Sequence, residues 1–576
     1  MKYRWKFREQ KSFNPKILKA WSLEFDISVE ILKILISRGI NTKEKINTFI
    51  SPLIRYLPPL NSWHALIKTA NFLCNEIKKR SKIAIWGDYD VDGICSSVIL
   101  YDFLKKVGCD PKIYIPNRFS EGYGLNLLGL ERLYRDHIET IITVDCGITN
   151  IKEVKRAKEL GFKIIITDHH YPKDVIPEAD VVLNPKISPC PYPNLAGVGV
   201  AFLLVAAVNK ILSLDIDIKE YLDLVALGTL ADLVELTLEN RILVKNGLLY
   251  LKEAKRPGIL ALKEVSNLSP FSEVGSYEVS FLLAPRINSA GRMDDPKIAV
   301  ELLLTKDLNR ARELAKKLNS LNSKRQKIED NILKEAKGMI NQSPDLPAFV
   351  LFSDNWHEGV IGIVASKLVE EFYRPVILFT QNKEFIKGSG RSIPEFHLFK
   401  GLSQCEEFIE NFGGHSQAAG LAVNPAKFED FKEKFLTFVQ KHFDGKILEP
   451  SILIDERLSF KSINLKLLKD LDILQPFGPG NPSPIFCSYP LKVQKYKRIK
   501  DKHVALELRD EKVRKTFWGK FWRMYEFLPN DIVGQEIVIA FTPKLNTFAD
   551  LISIDLEVID WAYPEVVFKT IEQKKI

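Results

Sequence analysis

Short β-branched runs recur along the first half of the chain: KIAIW (82–86), KIYI (112–115), TIITV (140–144) and KIIIT (163–167), with the helical stretch IKEVKRAKELG between the last two. Short β-branched runs alternating with helical stretches give a βαβ rhythm and predict a mostly parallel sheet. Two strongly apolar helices follow, AFLLVAAVNKIL and YLDLVALGTLADLVEL, and should cover one face of that sheet or close its far end. From Asp307 to about Ile340 the chain is highly charged, poor in glycine and free of proline, which predicts a long helix bridging two lobes. Strands AFVLFSD and PVILFT around the helix VIGIVASKLVEEF, with a glycine-rich segment after them, predict a smaller α/β lobe from about 347 to 440. Beyond a linker near 445–450, SILIDERL, LKVQKYKRI, HVALELRD, KTFWGKFW, EIVIAFTP and LISIDLEVID alternate with turn residues and predict an all-β barrel of about five strands. Residues 1 to about 65 read as short amphipathic helices such as SVEILKILISRG and a proline-rich connector, SPLIRYLPPLNSW, an accessory lead-in. The predicted class is α/β: a helical lead-in over 1–65, a parallel-sheet domain over 66–300, a connecting helix over 301–343, an α/β lobe over 344–445 and a C-terminal barrel over 446–576.

At 576 residues the chain is long enough for several full cores, which excludes a small disulfide-stapled scaffold. Lys and Arg number 82 against 73 Asp and Glu, a net charge of +9 that modestly favours a polyanionic partner such as nucleic acid. The seven cysteines stand far apart with no CxxC pair, so neither a disulfide framework nor a thiolate zinc site is indicated. The basic start, MKYRWKFREQKSFNPK, is not followed by an apolar core and cleavage site, and no apolar run approaches the ~20 residues that span a bilayer. A cytoplasmic protein without membrane contact is the expectation.

Three of the predicted strands run straight into acids: IAIWGDYDVDG (Asp88, Asp90, Asp92), IITVDCG (Asp145) and IIITDHH (Asp168, His169, His170). Ligands bind at the carboxyl ends of parallel strands. Carboxylates converging on one crevice repel each other and lose solvation, so either their pKa values rise or a multivalent cation sits among them. Carboxylate oxygens mixed with imidazole nitrogens suit manganese or magnesium better than a thiolate-bound zinc. The segment from Asp88 to Gly93 also matches half of an EF-hand loop, but its twelfth position is Ile99 where a bidentate Glu is required. A haloacid-dehalogenase-like phosphatase also begins with a strand and D-x-D, yet such a site does not call for a strand-terminal DHH.

DYDVDG, VDCGIT, TDHH and GTLADLVEL resemble the four signature motifs of the DHH phosphoesterase superfamily. GRSIPEFHL, RINSAGR, HEGVIGIVASKL and GGHSQAAGLAV further resemble the bacterial RecJ single-strand-specific exonucleases, and the likeness runs from about residue 80 to 425. Val91 stands where that family often has Ala, and Glu235 where Pro is common, but neither change removes a ligand. The resemblance implies a DHH domain, a DHH-associated domain and an OB-fold, with two divalent cations, manganese or magnesium. It implies Asp88, Asp90, Asp145, His169 and Asp232 as metal ligands, with Asp145 the bridge. Asp92 and His170 would either complete the coordination or contact the scissile phosphate, and Asp168 would orient a ligand imidazole. Arg118, Ser389 and Arg391 match positions that hold a 5′-phosphate, and His357, Arg286, Arg292 and His415 would line the substrate channel.

Independently, the stretch from 491 to 523 interleaves basic residues with aromatics, the pairing by which OB-folds neutralise phosphates and stack bases. Lys495, Tyr496, Lys497, Arg498, Trp518 and Trp522 are its candidate single-strand contacts, although alternate aromatics also fill barrel cores. The resulting expectation is a metal-dependent exonuclease degrading single-stranded DNA from the 5′ end in recombination and repair. The resemblance implies a monomer, with single-strand-binding protein and a RecQ-type helicase as partners. The alternatives are a phosphodiesterase for nanoRNA, cyclic dinucleotides or small phosphate esters, and a relative that binds DNA without cutting it.

Overall fold

The uninterrupted β-branched runs form a five-stranded parallel sheet built from β1 (Ile83–Gly87), β2 (Lys112–Tyr114), β3 (Thr140–Val144), β4 (Lys163–Thr167) and β5 (Val181–Leu183), in the order β2-β1-β3-β4-β5. Strands β1 and β3 are buried at every position, as covering helices on both faces require. The first strand is displaced by one residue from the predicted 82–86, and β5 was not expected because three residues, VVL, write too short a signal. Register decides the chemistry: Gly87 pairs with Val144 and Val144 with Thr167, so Asp88, Asp145 and Asp168 follow at one level on three adjacent strands.

The computed structural model describes residues 2–9, 13–187, 189–382, 384–446, 448–500, 502–529, 531–548 and 551–567. The chain divides into two compact units, one of Met1–Pro59, Leu233–Leu248 and Glu449–Ile576, the other of Leu60–Asp232 and Leu249–Leu448.

In the larger unit, α1 (Val91–Lys106) leads out of the first acidic loop, and α2 (Gly197–Ile211) and α3 (Leu222–Ala231) both pack on it. The second apolar helix is shorter than its sequence suggests: it stops at Ala231, and Leu233 takes the left-handed φ of 61°, so ADLVEL leaves the helix at Asp232. Next come α4 (Ala284–Met293) and the long helix α5 (Leu308–Ile340), capped by Asp307, whose carboxylate accepts from the Asn309 amide at 2.8 Å. The buried side of α5 runs through Ala311, Leu314, Leu318, Asn322, Arg325, Glu329, Ile332 and Ala336, at the three- and four-residue steps of one helix face. It is therefore not a free bridge. One half packs on α4 and its neighbours, the other on α6 (Glu358–Phe372) and β6 (Phe349–Phe352), so both lobes share one compact body.

The second sheet contains β6, β7 (Val376–Asn382), β8 (Phe385–Arg391), β9 (Ile409–Gly414) and β10 (Ala418–Val423) in the order β9-β10-β8-β7-β6. Its glycine-rich segments are strands: Arg391 pairs with Ala418, Ser389 with Gly420, and Gly420 with Gly413.

In the other unit, five strands, Leu491–Ile499, His503–Asp510, Lys515–Phe521, Leu551–Ala562 and Glu536–Phe548, pair in that order and close into a ring. SILIDERL lies outside this ring, because Ser451–Ile454 pairs in parallel with Arg4–Phe7. The lead-in is likewise no separate accessory: Ile31, Leu35 and Ile46 of its helices share one core with Leu467, Leu508 and Phe541. The Asp560 carboxylate fastens the amino-terminal strand by accepting from the Tyr3 amide at 3.0 Å and Trp5 Nε1 at 2.9 Å. Among the described residues no helix is long and apolar enough to cross a membrane.

Candidate metal centre and substrate groove

The acids that end three strands meet side chains from two further loops. One oxygen or nitrogen from each of Asp88, Asp90 and Asp145 lies within 4.8 Å of the others, and the same holds for Asp145, His169 and His170 and for Asp92, His169 and Asp232. Asp145 and His169 each belong to two of these groups. His169 Nε2 stands 3.1 Å from Asp145 Oδ1, 3.5 Å from Asp232 Oδ2 and 3.8 Å from Asp92 Oδ2. Local backbone makes this approach possible. Asp145 sits in the left-handed region at φ 60°, and a Cβ on Gly197 would come within 2.8 Å of the Asp145 Cβ. A Cβ on Gly93 would fall 2.7 Å from Asp88.

Three buried atoms of this cluster, Asp88 Oδ1, Asp145 Oδ1 and His169 Nε2, have no hydrogen-bond partner among the described residues. Such orphans call for an ion or a ligand. Burial first, and then the neighbouring carboxylates, push Asp88, Asp145 and Asp232 well above the usual carboxylate range. Burial and the charge of His170 lower His169 to about 3, so its imidazole is neutral at neutral pH, the form that binds a metal. Hard oxygen donors joined by imidazole nitrogen fit manganese or magnesium. Adding manganese is expected to raise the unfolding temperature of this unit by about 5 °C or more, since a cation bound only to the folded state relieves that repulsion. Calorimetry with and without the ion checks this, and an unchanged transition would mean that the cluster holds no cation.

A second tier holds these groups in place. Burial and then Asp90 push Asp92 up to about 7, while the amides of Val198 and Gly197 pull the other way. Both of its oxygens are occupied by those amides at the start of α2, at 2.8 and 2.7 Å. It therefore clamps α1 to α2, and its carboxylate is less free than those of Asp88 or Asp145. Asp168 Oδ2 accepts from the Ile148 amide at 2.9 Å, and Oδ1 meets His170 Nδ1 at 2.7 Å. Burial alone would lower His170, yet the hydrogen bond and charge of Asp168 raise it to about 9. Two supports escaped the sequence reading. Tyr123 Oη donates to the Asp145 carbonyl at 3.1 Å, and Asn288 Oδ1 accepts from the Val91 amide at 3.2 Å. Asn288 lies within RINSAGR, a motif already noted, and Tyr123 follows Arg118 by five residues, but residue type alone does not reveal a contact with another loop.

Arginines flank the acids. The Arg118 guanidinium lies 5.1 Å over the Tyr89 ring, and Arg391 donates to Ser389 Oγ at 3.3 Å and the Gly390 carbonyl at 2.8 Å. Burial, and then the charge of Arg118, depress both Arg391 and Arg292, the latter to about 10. Arg292 donates to the Gly359 carbonyl at 3.2 Å, where α6 begins. His357 caps that helix and meets Phe119 edge-on at 5.8 Å. His415, in the turn between β9 and β10, is lowered by burial and then by the charges of Arg391 and His170. Arg286 does not join them. Its guanidinium donates to Asn319 Oδ1 at 3.0 Å and to the Leu282 and Val265 carbonyls, binding α4 to α5.

The chain matches the model of the DHH family, N-terminal domain, over residues 82–229, that of the DHHA1 domain over 345–441 and that of the RecJ OB domain over 454–560. It is 35% identical over 488 residues to the single-stranded-DNA-specific exonuclease RecJ of Salmonella typhimurium, covering 81% of this chain and 84% of that protein. This chain belongs to the RecJ family. The crystal structure of RecJ from Thermus thermophilus in complex with Mn2+ is similar to it with a TM-score of 0.83 and 29% identity, over 98% of this chain and 80% of that one. The structure of the same protein with Mg2+ gives a TM-score of 0.79 and 28% identity, over 98% and 79%.

In the RecJ OB domain, the six candidate single-strand contacts do not share one face. Lys495 pairs across to Glu507 and Glu507 to Trp518, so these three project from one side, together with Lys497 and Lys520 one step along. Strand alternation sends Tyr496 and Arg498 to the rows of Leu506 and Val504 on the other side, where the Arg498 guanidinium stacks 4.1 Å over Tyr525. Trp522 is exposed beside His503, with ring centres 5.1 Å apart. Tyr525 and His503, both missed in the sequence, enter through these ring contacts.

Proposed function

We propose that this RecJ-family chain is a two-metal-dependent exonuclease that degrades single-stranded DNA from the 5′ end and releases nucleoside 5′-monophosphates. The observation that carries this reading is the pairing, in one compact unit, of orphaned carboxylate and imidazole donors with an arginine set that lacks carboxylate partners among the described residues. Two cations held by Asp88, Asp90, Asp145, His169 and Asp232 supply hydroxide near neutral pH and neutralise charge on the in-line transition state. Asp145, common to two donor groups, is the natural bridge. Asp168 commits His170 Nδ1, which leaves Nε2 to complete the coordination or to contact the scissile phosphate. Arg118, Ser389 and Arg391 anchor the terminal phosphate, Arg by its planar bidentate fork. With that phosphate fixed, the next phosphodiester falls at the metals and one nucleotide leaves per cycle.

On this reading the enzyme acts as a cytoplasmic monomer in recombination and repair, on strands that a RecQ-type helicase opens and single-strand-binding protein covers. Product analysis on end-labelled single and double strands, with manganese, magnesium or chelator, tests the whole proposal. Rapid hydrolysis of dinucleotides with long strands left intact would favour a small-substrate phosphodiesterase instead. Arg391→Ala is expected to cut the preference for a 5′-phosphorylated over a 5′-hydroxyl end by about 10- to 100-fold, the worth of one or two charge-assisted hydrogen bonds. An undiminished rate on the 5′-phosphorylated strand would remove Arg391 from the anchor.

A further inference from the structure

The anchor does not close the end of the substrate path. A cavity of about 630 Å³ opens on the β8 and β10 face of the second sheet, with Arg118 and Ser389 on its wall and none of the metal-centre residues. Strand alternation orders this face. Along β8, Arg391, Ser389, Lys387 and Phe385 project to one side, which is the side of α6: a Cβ on Gly362 would meet Ser389 Oγ at 2.8 Å and Arg391 Nη2 at 3.2 Å. Arg118, on the cavity wall, reaches back over the Tyr89 ring at 5.1 Å, between Asp88 and Asp90 in the chain, while the cavity wall itself includes none of the metal-centre residues. The row therefore passes from the anchor at Ser389 on to Lys387 and Phe385.

The floor opposite the row is bare among the described residues. Facing the row, β10 offers Ala418, Gly420 and Ala422, and a Cβ added at Gly420 or at its neighbour Gly413 would touch nothing within 4 Å. The wall carries little net charge, because Lys387 is paired with Glu358 at 2.8 Å. A second phosphate is therefore a poor occupant. Phe385 for stacking and Asn411 for hydrogen bonding suit a nucleobase, and the volume falls in the range of small-ligand sites.

We infer that this cavity is a subsite for one nucleoside on the 5′ side of the anchored phosphate. The inference rests on the anchoring role proposed for Arg118, Ser389 and Arg391. It makes the anchor usable by an internal phosphate when the terminal one is missing. On a strand with a 5′-hydroxyl end, the terminal nucleoside enters the cavity and the first internucleoside phosphate takes the anchor. Water then adds to the phosphorus between the second and third nucleosides, and the bond from that phosphorus to the second nucleoside's 3′ oxygen breaks. That oxygen leaves with a proton as the hydroxyl of a dinucleoside monophosphate, and the shortened strand keeps the phosphate on its new 5′ end. Every later cycle releases mononucleotides.

The test uses the full-length protein with manganese and two strands of one sequence, one 5′-phosphorylated and one 5′-hydroxyl, with the first products identified by mass. A dinucleoside monophosphate from the hydroxyl strand alone is the expected result. A free nucleoside as first product, or no cutting of that strand, overturns the inference whatever any variant does. Ala422→Leu, which fills the cavity opposite Lys387, one step beyond Ser389, should slow the hydroxyl strand by about tenfold or more through steric exclusion while changing the phosphorylated strand by about twofold at most. That second rate also reports that the variant folds. Equal loss on both strands counts against the subsite. Failure of the anchor itself shows separately, as an unchanged rate on both strands in Arg391→Ala.

Discussion

Asp145→Asn is expected to lower the single-turnover rate on a 5′-phosphorylated strand by about 10³-fold or more at saturating manganese. Asp145 contributes to two of the three donor groups, and its buried Oδ1 has no hydrogen-bond partner among the described residues. Turning one carboxylate oxygen into an amide would remove the charge proposed to hold two cations together, a loss of several kcal/mol of transition-state stabilisation at about 1.4 kcal/mol per tenfold. Asn is the informative replacement because it keeps the side-chain shape and tolerates the left-handed backbone, here at φ 60°. Single-strand affinity, measured by fluorescence anisotropy without metal, should change little, since the barrel's basic face is untouched. A rate within about tenfold of the parent would place the bridging charge elsewhere.

Asp168→Asn tests the tier behind the ligands and should cost about 10- to 100-fold in activity or in the manganese concentration needed, the usual penalty for losing a group that orients a metal-site imidazole. Its direct readout is the titration of His170 in the metal-free protein. Burial opposes the proton there, but the Asp168 hydrogen bond and charge keep it to about 9. Because that folded pKa is raised, the stabilisation from this pair is fully present below the unfolded histidine value and is lost as pH rises through about 9. With Asn in place the carboxylate charge is gone, and the His170 midpoint should fall towards or below the ordinary value of about 6.5, as seen by ring carbon NMR. An unmoved midpoint would mean that other acids, Asp232 and Asp88 among them, hold the proton.

The two substitutions probe parts of the site that differ in how far the amino-acid order reveals them. Asp88, Asp145 and Asp168 were legible because each follows a buried β-branched run, and parallel register brings such run ends level. Asp232 was legible only through its motif, since nothing local marks the end of α3, where the helix stops short of its apolar pattern. The distinction between Asp90 and Asp92 was not legible at all: both are acids at one helix start, and what occupies Asp92 is a pair of amides more than a hundred residues away. Arg286 and Arg292 share one motif, yet one donates to Asn319 and the Val265 carbonyl while the other reaches the Gly359 carbonyl at the start of α6. In the barrel, alternation within a single strand divided a basic and aromatic run that reads as one patch.

What the order of residues determined by itself was everything carried by short-range periodicity: the parallel strands, the long capped helix, the ring of β-strands and the placing of acids at strand ends. Periodicity survives because burial of a face demands apolar residues at fixed steps wherever the partner comes from. Only the tertiary structure decided that the amino-terminal helices complete the barrel core, which carboxylates keep an unpartnered oxygen, and that the groove continues past Ser389. Those outcomes depend on which distant backbone amide, carbonyl or bare glycine face arrives opposite a given side chain, and no local step in the chain records that.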